Sequence, residues 1–404
     1  MSQRQRDFDV VIIGSGFGGS VAALRLTEKG YRVAVIEAGR RFKDKDFPKT
    51  SWRLSKFLYL PRLGLRGIQR IHALPDVLIL AGSGVGGGSL VYANTLYMPP
   101  DSYFNDSQWK SITDWKAELT PWYDQASRML GVAENPYFSP SDQAMKDAAD
   151  AMGVGHTFKM APLGVHFGQG PGVIERDPFF GGVGPDRHGC QQCGGCMTGC
   201  RFNAKNTLPK NYLGLAEKAG AEVFPDTTVE KIEQLSHGGW KITARKSTAW
   251  FGGKRTFTAG EVVVAAGTYN TQKLLHKMKR KQLPRLSNRL GALSRTNSEA
   301  LTGALMDNRD NDFSRGAAIT SSFFPDEHTH IEPVRYGKGS NLMGLLQTIM
   351  TDGFTGKERR RHWLKQFLAK PSLLLRIINV RHWSEKTVIA LVMQDVDSAV
   401  TVKG

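Results

Sequence analysis

A glycine loop near the start of the chain has the spacing of a dinucleotide-binding turn. Gly14, Gly16 and Gly19 follow the apolar run Phe8 to Ile13 in the pattern G-x-G-x-x-G. In such a loop the first glycine allows the tight turn, the second lets the backbone approach a pyrophosphate, and the third lets helix and strand pack closely. Glu37, at the end of the next apolar run, is placed to accept hydrogen bonds from ribose hydroxyls. The pattern predicts a dinucleotide site.

The neighbouring sequence also predicts the strands and the helix that position this loop. The run FDVVII is rich in β-branched residues and predicts a buried parallel strand. Residues 20–28 predict a helix that ends before Gly30, and residues 31–36 predict a second strand. The free N–H groups at the start of the helix would face the phosphates. The residues predicted to bind the dinucleotide here are Gly14, Ser15, Gly16, Phe17, Gly18, Gly19 and Glu37.

A second glycine loop, Gly82 to Ser89, has the sequence GSGVGGGS. Closely spaced glycines of this kind usually serve close backbone contacts. The stretch before it, from Trp52 to His72, alternates basic, leucine and aromatic residues, and we interpret it as a loop that covers the site.

The cysteines form one local run with the spacing C-x2-C-x2-C-x3-C, at Cys190, Cys193, Cys196 and Cys200. This is the spacing of a bacterial-ferredoxin cluster loop, which would give electrons an exit from a flavin. Zinc is a structural alternative. A third interpretation, a tight glycine-rich segment beside a cofactor that binds no metal, is the one we favour. The run does not resemble the disulfide framework of a secreted domain.

The formal net charge of +17 favours anionic partners. No nucleic-acid-binding module accompanies it, so we expect no nucleic-acid partner. The N-terminus leaves no room for a signal peptide, which favours a cytoplasmic protein. Residues 357–386 interleave Lys and Arg with Trp, Leu, Phe and Ile, and Pro371 interrupts them. A basic amphipathic helix suits an anionic membrane surface, so peripheral membrane binding is one interpretation; a helix packed on its own domain is the slightly favoured one.

Several separate motifs together resemble the glucose–methanol–choline (GMC) oxidoreductases, and within them the bacterial cholesterol-oxidase-like branch. They run in order over most of the chain. Besides the N-terminal loop they are GSGVGGGSLVYAN (82–94), CQQCGGCMTGCRFNAKNTLPKNYL (190–213), VVVAAGTYNTQKLL (262–275), LGALSRTNSE (290–299) and THIEPVRYGKGSN (329–341).

The resemblance implies that the cofactor is flavin adenine dinucleotide (FAD), which the first loop alone does not distinguish from NAD. It also implies that Glu332 is the glutamate that moves a proton on a steroid, a task that a raised pKa in an apolar pocket would suit. The neighbours His328 and His330 are interpreted as structural or exposed. The further FAD-binding positions that it implies are Gly82, Gly86, Gly87, Gly88, Ser89, Asn94, Val229 and Gly267.

The expected fold class is α/β. A Rossmann-like FAD-binding domain would occupy residues 1–305, with inserted segments at about 40–75 and 131–189. A second, mostly antiparallel β-sheet domain for the substrate (α+β) would occupy residues 306–404, where the chain turns to longer alternating strands. Because the family pattern continues past residue 404 with a histidine and an asparagine that bind the substrate hydroxyl, we expect this second domain to be incomplete.

The expected activity is oxidation of a sterol 3β-hydroxyl, or that of another apolar alcohol, to the ketone. Oxygen would be the acceptor, and a shift of the ring double bond from the 5-ene to the 4-ene position would follow. Two alternatives stay open. One is a dehydrogenase that passes electrons through a cysteine-bound iron–sulfur cluster to a quinone or cytochrome. The other is an inactive truncated fragment.

Overall fold

The structure is a computed structural model that describes residues 6–75, 77–351, 356–369, 371–396 and 398–404. The strands are β1 (Phe8–Ile13), β2 (Val33–Ile36), β3 (Tyr59–Leu60), β4 (Leu65–Arg66), β5 (Gln69–Ala73), β6 (Leu78–Gly82), β7 (Ala133–Glu134), β8 (Lys159–Met160), β9 (Pro162–Leu163), β10 (Ile174–Glu175), β11 (Arg187–His188), β12 (Glu222–Phe224), β13 (Thr227–Gln234), β14 (Trp240–Lys246), β15 (Lys254–Val264), β16 (Glu299–Leu305), β17 (Ser321–Asp326), β18 (Thr329–Val334) and β19 (Thr387–Gln394). The α-helices are α1 (Phe17–Glu28), α2 (Leu54–Phe57), α3 (Asp101–Phe104), α4 (Trp115–Met129), α5 (Pro140–Ala151), α6 (Tyr212–Lys218), α7 (Thr268–Lys279), α8 (Gly356–Ala369), α9 (Pro371–Ile378) and α10 (Trp383–Lys386).

The first sheet contains the predicted dinucleotide-binding unit. Its strand order is β12-β2-β1-β15-β14-β13. β1 lies parallel to β2 and to β15, and β14 runs antiparallel to both β15 and β13. The apolar residues of β1 and β2 are buried on both faces, as expected for central parallel strands. α1 and α6 pack over one face, where Ile12, Leu24 and Leu213 belong to the same apolar cluster.

The second sheet is antiparallel and has the order β16-β19-β18-β17-β8. Two of its strands come from outside residues 306–404. β16 pairs with β19 along its whole length, although the predicted boundary at residue 305 assigned it to the first domain. β8 lies in the segment 131–189 that we expected to be an insertion, and pairs with β17. The division into two domains itself stays a prediction.

Two segments for which the sequence predicts no helix or strand contain both in the structure. Residues 52–72 were expected to be a covering loop, but they contain α2 and the strand β5, which forms a hairpin with β6. The segment 131–189 holds α5, which begins at a capping box formed by Ser139 and Asp142. Because Gly- and Pro-rich sequence lies on both sides of this short helix, its hydrophobic periodicity is hard to recognise in the sequence.

The basic stretch 357–386 forms two helices, α8 and α9, on either side of residue 370. α8 has no fully buried residue among those described, and Leu364 and Leu368 are exposed by 49% and 71%. Its Trp363 indole donates a 2.7 Å hydrogen bond to the Thr348 hydroxyl of the same chain. Packing on its own domain and membrane binding both stay predictions. Within the described residues, no helix combines the length and the apolar content needed to cross a bilayer.

Candidate active site

The first glycine loop links β1 to α1, and two of its glycines have no room for a side chain. Gly14 has a φ of +104°, and a Cβ there would lie 2.4 Å from the carbonyl oxygen of Ala265 on the neighbouring strand. A Cβ at Gly19 would lie 1.9 Å from the carbonyl oxygen of Gly14, so α1 packs directly on the turn. At Gly16 and Gly18, by contrast, a Cβ would meet nothing within 4 Å. The loop is therefore closed toward the protein and open toward the adjacent cavity.

Glu37 stands at the end of β2 and is 7% exposed. Its Oε2 accepts a hydrogen bond of 2.7 Å from the Ser15 hydroxyl, and its Oε1 accepts one of 2.8 Å from the Gly39 amide. The carboxylate is thus held at the cavity wall, one strand away from the glycine loop.

The second glycine loop lies directly against the first. Gly87 has a φ of +52°, and a Cβ there would come within 2.6 Å of the Gly16 Cα. The Gly86 amide donates a 3.0 Å hydrogen bond to the Ser15 hydroxyl, which ties both loops to Glu37. Only backbone without side chains allows two loops to approach this closely.

Some residues of the second loop line the cavity, whereas others lie behind the cavity wall. Gly82, Gly87 and Gly88 line the cavity. The Ser89 hydroxyl turns inward, donating to the Gly86 carbonyl and accepting from the Leu208 amide. Gly86 also lies behind the wall, where a Cβ would meet the ring of Pro209 at 2.7 Å. We therefore expect the loop to contact a cofactor through backbone groups.

Asn94 is fully buried with a φ of +79°. Its side chain faces the cysteine segment, where burial raises the pKa of the Cys196 thiol and Asn94 acts weakly in the opposite direction. Its chain neighbours Ala93 and Thr95 line the cavity instead. The structure therefore puts Asn94 beside the cavity wall, and its role near the flavin ring stays a prediction.

The opposite wall of the same cavity comes from β13 and the start of α7. Val229 and Gly267 line it, as do Lys273 and Lys277 of α7. The β13–β14 register shifts between Val229 and Lys231, so the strand pairing is irregular beside this predicted FAD-binding position. This wall is therefore basic.

The cavity has a volume of about 2240 Å³. Ordinary ligand pockets occupy about 300–1,000 Å³, so this space is large enough for a dinucleotide together with an apolar substrate. Open glycines, a fixed carboxylate and the basic side chains of Arg70 and Lys273 suit an adenosine diphosphate moiety. These residues fit FAD.

The second sheet closes the far end of the cavity. Glu332 and Val334 of β18, Tyr336 after it, and Ile389 and Leu391 of β19 face the space. Glu332 is 2% exposed, and burial raises its pKa to about 7. A carboxyl with this pKa can both accept and release a proton near neutral pH.

The two histidines beside Glu332 differ from each other. His328 is exposed, and its Nδ1 lies 2.8 Å from Oδ1 of Asp395. His330 is largely buried, and its Nε2 lies 3.9 Å from Oε1 of Glu332. His328 is therefore exposed, whereas His330 packs beside the buried carboxyl; the interpretation of both as structural or exposed stays a prediction.

The cysteine run lies behind the cavity wall, to which it contributes Met197. The four thiols are free and surround a second, small cavity. Burial raises the pKa of the Cys190 thiol, and that of Cys193 to about 11. Searched over the described residues, His, Cys, Asp and Glu side chains form no group of three or more that could hold a metal ion. The choice among the three interpretations of the cysteine run stays a prediction.

Several lining residues were absent from the sequence-based site. They come from the β5–β6 hairpin, α7 and residues 343–350, and they include Gln69, Arg70, His72, Tyr269, Lys273, Met343 and Met350. The imidazole of His72 packs on the Tyr269 ring with centroids 4.9 Å apart, joining the hairpin to α7. The alternation of polar and apolar residues at 69–73 was the available signal for the hairpin.

Comparison with known proteins agrees with this site. Residues 9–45 match the model of the FAD binding domain, and residues 181–279 match that of the GMC oxidoreductases. A cholesterol oxidase from Mycobacterium tuberculosis is 59% identical over 98% of this chain and 70% of its own length. This chain belongs to the GMC oxidoreductase family. Within that family it is a cholesterol-oxidase-like member, an FAD-dependent oxidoreductase acting on CH–OH groups.

Two further GMC comparisons agree in sequence and in fold. A cholesterol oxidase from Acinetobacter baumannii is 43% identical over all of this chain and 74% of its own length. The crystal structure of pyridoxine 4-oxidase from Mesorbium loti superposes with a TM-score of 0.53 over 98% of this chain and 73% of that one. At 13% identity, that second likeness shows the fold alone.

Proposed function

We propose that this protein oxidises the 3β-hydroxyl of a sterol to the ketone with dioxygen as acceptor, and then moves the ring double bond from the 5-ene to the 4-ene position. One observation carries the proposal: a single cavity joins the dinucleotide loops to an apolar wall that contains the buried carboxyl of Glu332. The relatives named cholesterol oxidase support the choice of a sterol.

FAD, when bound, accepts the hydride from the carbon that bears the hydroxyl. The chain's part in this step is to hold the cofactor. The loops around Gly16 and Gly87 would hold its pyrophosphate through backbone groups, and Glu37 would hold a ribose. Val229 would contact the adenine.

For the double-bond shift, the reacting group is Glu332. Its carboxylate would take a proton from C4 of the 5-ene-3-ketone and return it at C6. Apolar neighbours such as Val334, Ile389 and Leu391 exclude water and favour a flat apolar ring system. The pKa of about 7 keeps both protonation states populated at neutral pH.

The test is turnover of cholesterol by the FAD-loaded protein. We expect one hydrogen peroxide for each ketone formed and appearance of the conjugated 4-ene-3-ketone. Glu332→Gln should stop formation of the conjugated product while flavin reduction continues. Reduction of a dye acceptor without peroxide in air would refute oxygen as acceptor. Retained flavin colour without bleaching by cholesterol would refute sterol oxidation by this chain and favour the inactive-fragment alternative.

We also propose that this cytoplasmic protein docks on an anionic membrane face to take up its sterol. Leu346 and Met350 line the cavity and are 54% and 83% exposed. Leu368 of α8 and Leu375 of α9 are also exposed, and α8 is rich in Lys and Arg. Exposed apolar and basic side chains together suit an anionic lipid surface.

Vesicle sedimentation tests this docking. The protein should pellet with phosphatidylglycerol-containing vesicles and less with phosphatidylcholine vesicles. Leu368→Glu should weaken pelleting, whereas Leu63→Glu, at a site 69% exposed on another segment, should not. Equal soluble fractions with both vesicle types would contradict the proposal.

A further inference from the structure

Behind Glu332 lies a group of buried polar atoms. It consists of Oε1 of Glu332, Nε2 of His330, and the hydroxyls of Tyr97 and Ser322. Within the described ranges, none of these four atoms makes a hydrogen bond. Buried polar groups are almost always paired in folded proteins, and exceptions concentrate where a group must change its protonation or its partner. This concentration beside one carboxyl points to a function.

Packing holds these side chains in place. The His330 imidazole stacks on the Phe324 ring with centroids 4.4 Å apart and planes 5° apart. The Tyr97 ring meets the imidazole edge-on at 5.1 Å. His330 and Glu332 are two positions apart on β18, so both side chains leave the same face of the strand. His330 Nε2 therefore points toward Oε1 of Glu332 at 3.9 Å.

We propose that Tyr97 and His330 are positioning residues for Glu332. They hold Oε1 on the protein side and leave the other carboxylate oxygen for the substrate. The inference rests on the proposed isomerisation, in which the carboxylate takes a proton from C4, the C4–H electron pair moves into a dienolate, and the carboxyl then protonates C6. No oxidant or reductant enters this step. A carboxylate with one oxygen fixed keeps a single orientation while the other oxygen serves two carbons.

The charged and titratable groups around Glu332 agree with this arrangement. The Tyr97 hydroxyl makes no hydrogen bond of normal geometry with the described residues, but it lies near enough to Glu332 to act as a donor, and this influence lowers the pKa of Glu332. Burial and the nearby Glu299 of β16 act in the opposite direction and prevail. β19 places Leu391, which carries no charge, opposite Glu332 in the register.

The imidazole has its own surroundings. Burial and the Lys159 ammonium of β8 lower the pKa of His330 to about 4. The Lys159 Nζ lies 4.9 Å from the centre of the Phe324 ring on which the imidazole stacks. At neutral pH the ring is therefore uncharged. It can meet the Glu332 carboxyl as a hydrogen-bonding neighbour without adding a second charge to the site.

The test supplies a 5-ene-3-ketosteroid directly to the FAD-loaded protein and follows the conjugated ketone against pH. Tyr97→Phe removes the hydroxyl that lowers the pKa of Glu332. The acid limb of the pH–rate profile should therefore move to higher pH by about one unit, which corresponds to a tenfold loss of rate at a fixed pH on that limb. The rate above the limb should stay within about twofold. His330→Phe should move the limb in the same direction, and His330→Gln, which keeps a side-chain N–H, should move it less.

Tyr137→Phe is the matched control, since its ring packs on Phe167 away from Glu332. Infrared titration of the protonated carboxyl band, identified by its loss in Glu332→Gln, gives a readout independent of turnover. If Tyr97→Phe does not fold, the two His330 variants carry the same comparison.

The outcomes separate the two claims. If the parent protein oxidises sterol but does not isomerise the ketone, the proposed isomerisation is refuted and this inference with it. If the parent isomerises but neither Tyr97→Phe nor His330→Phe moves the acid limb or the infrared midpoint, the inference alone is refuted. A uniform loss of rate at every pH would also overturn it, because that result indicates a merely structural role.

Discussion

Replacing Glu332 by Gln should stabilise the protein above neutral pH. Burial raises the folded-state pKa of this carboxyl from 4.5 to about 7, with an exposed fraction of only 2%. The folded state therefore binds the proton more tightly than the unfolded state. Below pH 4.5 both states are protonated and the carboxyl has no ionisation cost. As pH rises from 4.5 to 7, folding stability falls, because the unfolded state releases its proton while the buried site opposes the charge; above 7 both states are ionised and the loss levels off.

The magnitude follows from the two pKa values. A difference of about 2.5 pH units, at 1.36 kcal/mol each, corresponds to about 3 kcal/mol in the free energy of unfolding. Total stabilities are typically about 5–15 kcal/mol, so the effect is measurable. The stability of Glu332→Gln relative to the parent should rise by about this amount between pH 4.5 and 7.5 and level off above it.

Urea unfolding of both proteins at pH 5, 6, 7 and 8 measures this difference. Glu134→Gln is the control, because the Glu134 side chain of β7 is exposed and forms no ion pair among the described residues, so its replacement should give a difference that does not vary with pH. A Glu332→Gln difference that is equally flat from pH 5 to pH 8 would refute the burial argument for this carboxyl.

Three more predictions concern the loops and the thiols. Gly87→Ala should abolish FAD retention, because its Cβ would lie 2.6 Å from the Gly16 Cα. The flavin absorbance per protein measures retention. Gly64→Ala is the control, since Gly64 also has a left-handed backbone but its Cβ would meet no atom within 4 Å, and this variant should keep the flavin absorbance. Ser15→Ala should lower the free energy of unfolding by about 1–3 kcal/mol, since its hydroxyl joins Glu37 to the Gly86 amide; an unchanged urea midpoint would contradict this. Cys190, Cys193 and Cys196 should react slowly with a thiol reagent at pH 8 and rapidly in urea, because burial raises the pKa of these three thiols; rapid labelling of these three in the native protein would show the burial to be wrong.

The dinucleotide unit could be predicted because each of its signals is local. Apolar β-branched runs, a glycine pattern and a terminal acid fall within residues 8–37. Even here the helix begins at Phe17, three residues before the predicted start at Ser20. Glycines are poor helix formers, so propensity favours the later start. Packing of Gly19 on the Gly14 carbonyl overrides that preference.

For the second sheet, the sequence predicts the antiparallel type but not which strands form it. The alternating pattern after residue 308 indicates antiparallel strands, but it cannot show that β8 forms one edge. The same holds for the site. Glu332 could be named from its motif, whereas Tyr97 lies far away in sequence and reaches the carboxyl through the fold alone. Tertiary partners of a buried group have no local signal.

The position of β19 in the second sheet has a consequence for biosynthesis. β19 lies between β16 and β18, yet residues 387–394 are the last strand of the sheet to leave the ribosome. Until then β16 and β18 have no common partner, and their free edges stay open to incorrect pairing. The wall that carries Glu332 is thus assembled late and around its final strand, so a nascent chain can complete the dinucleotide loops well before it can enclose an apolar substrate.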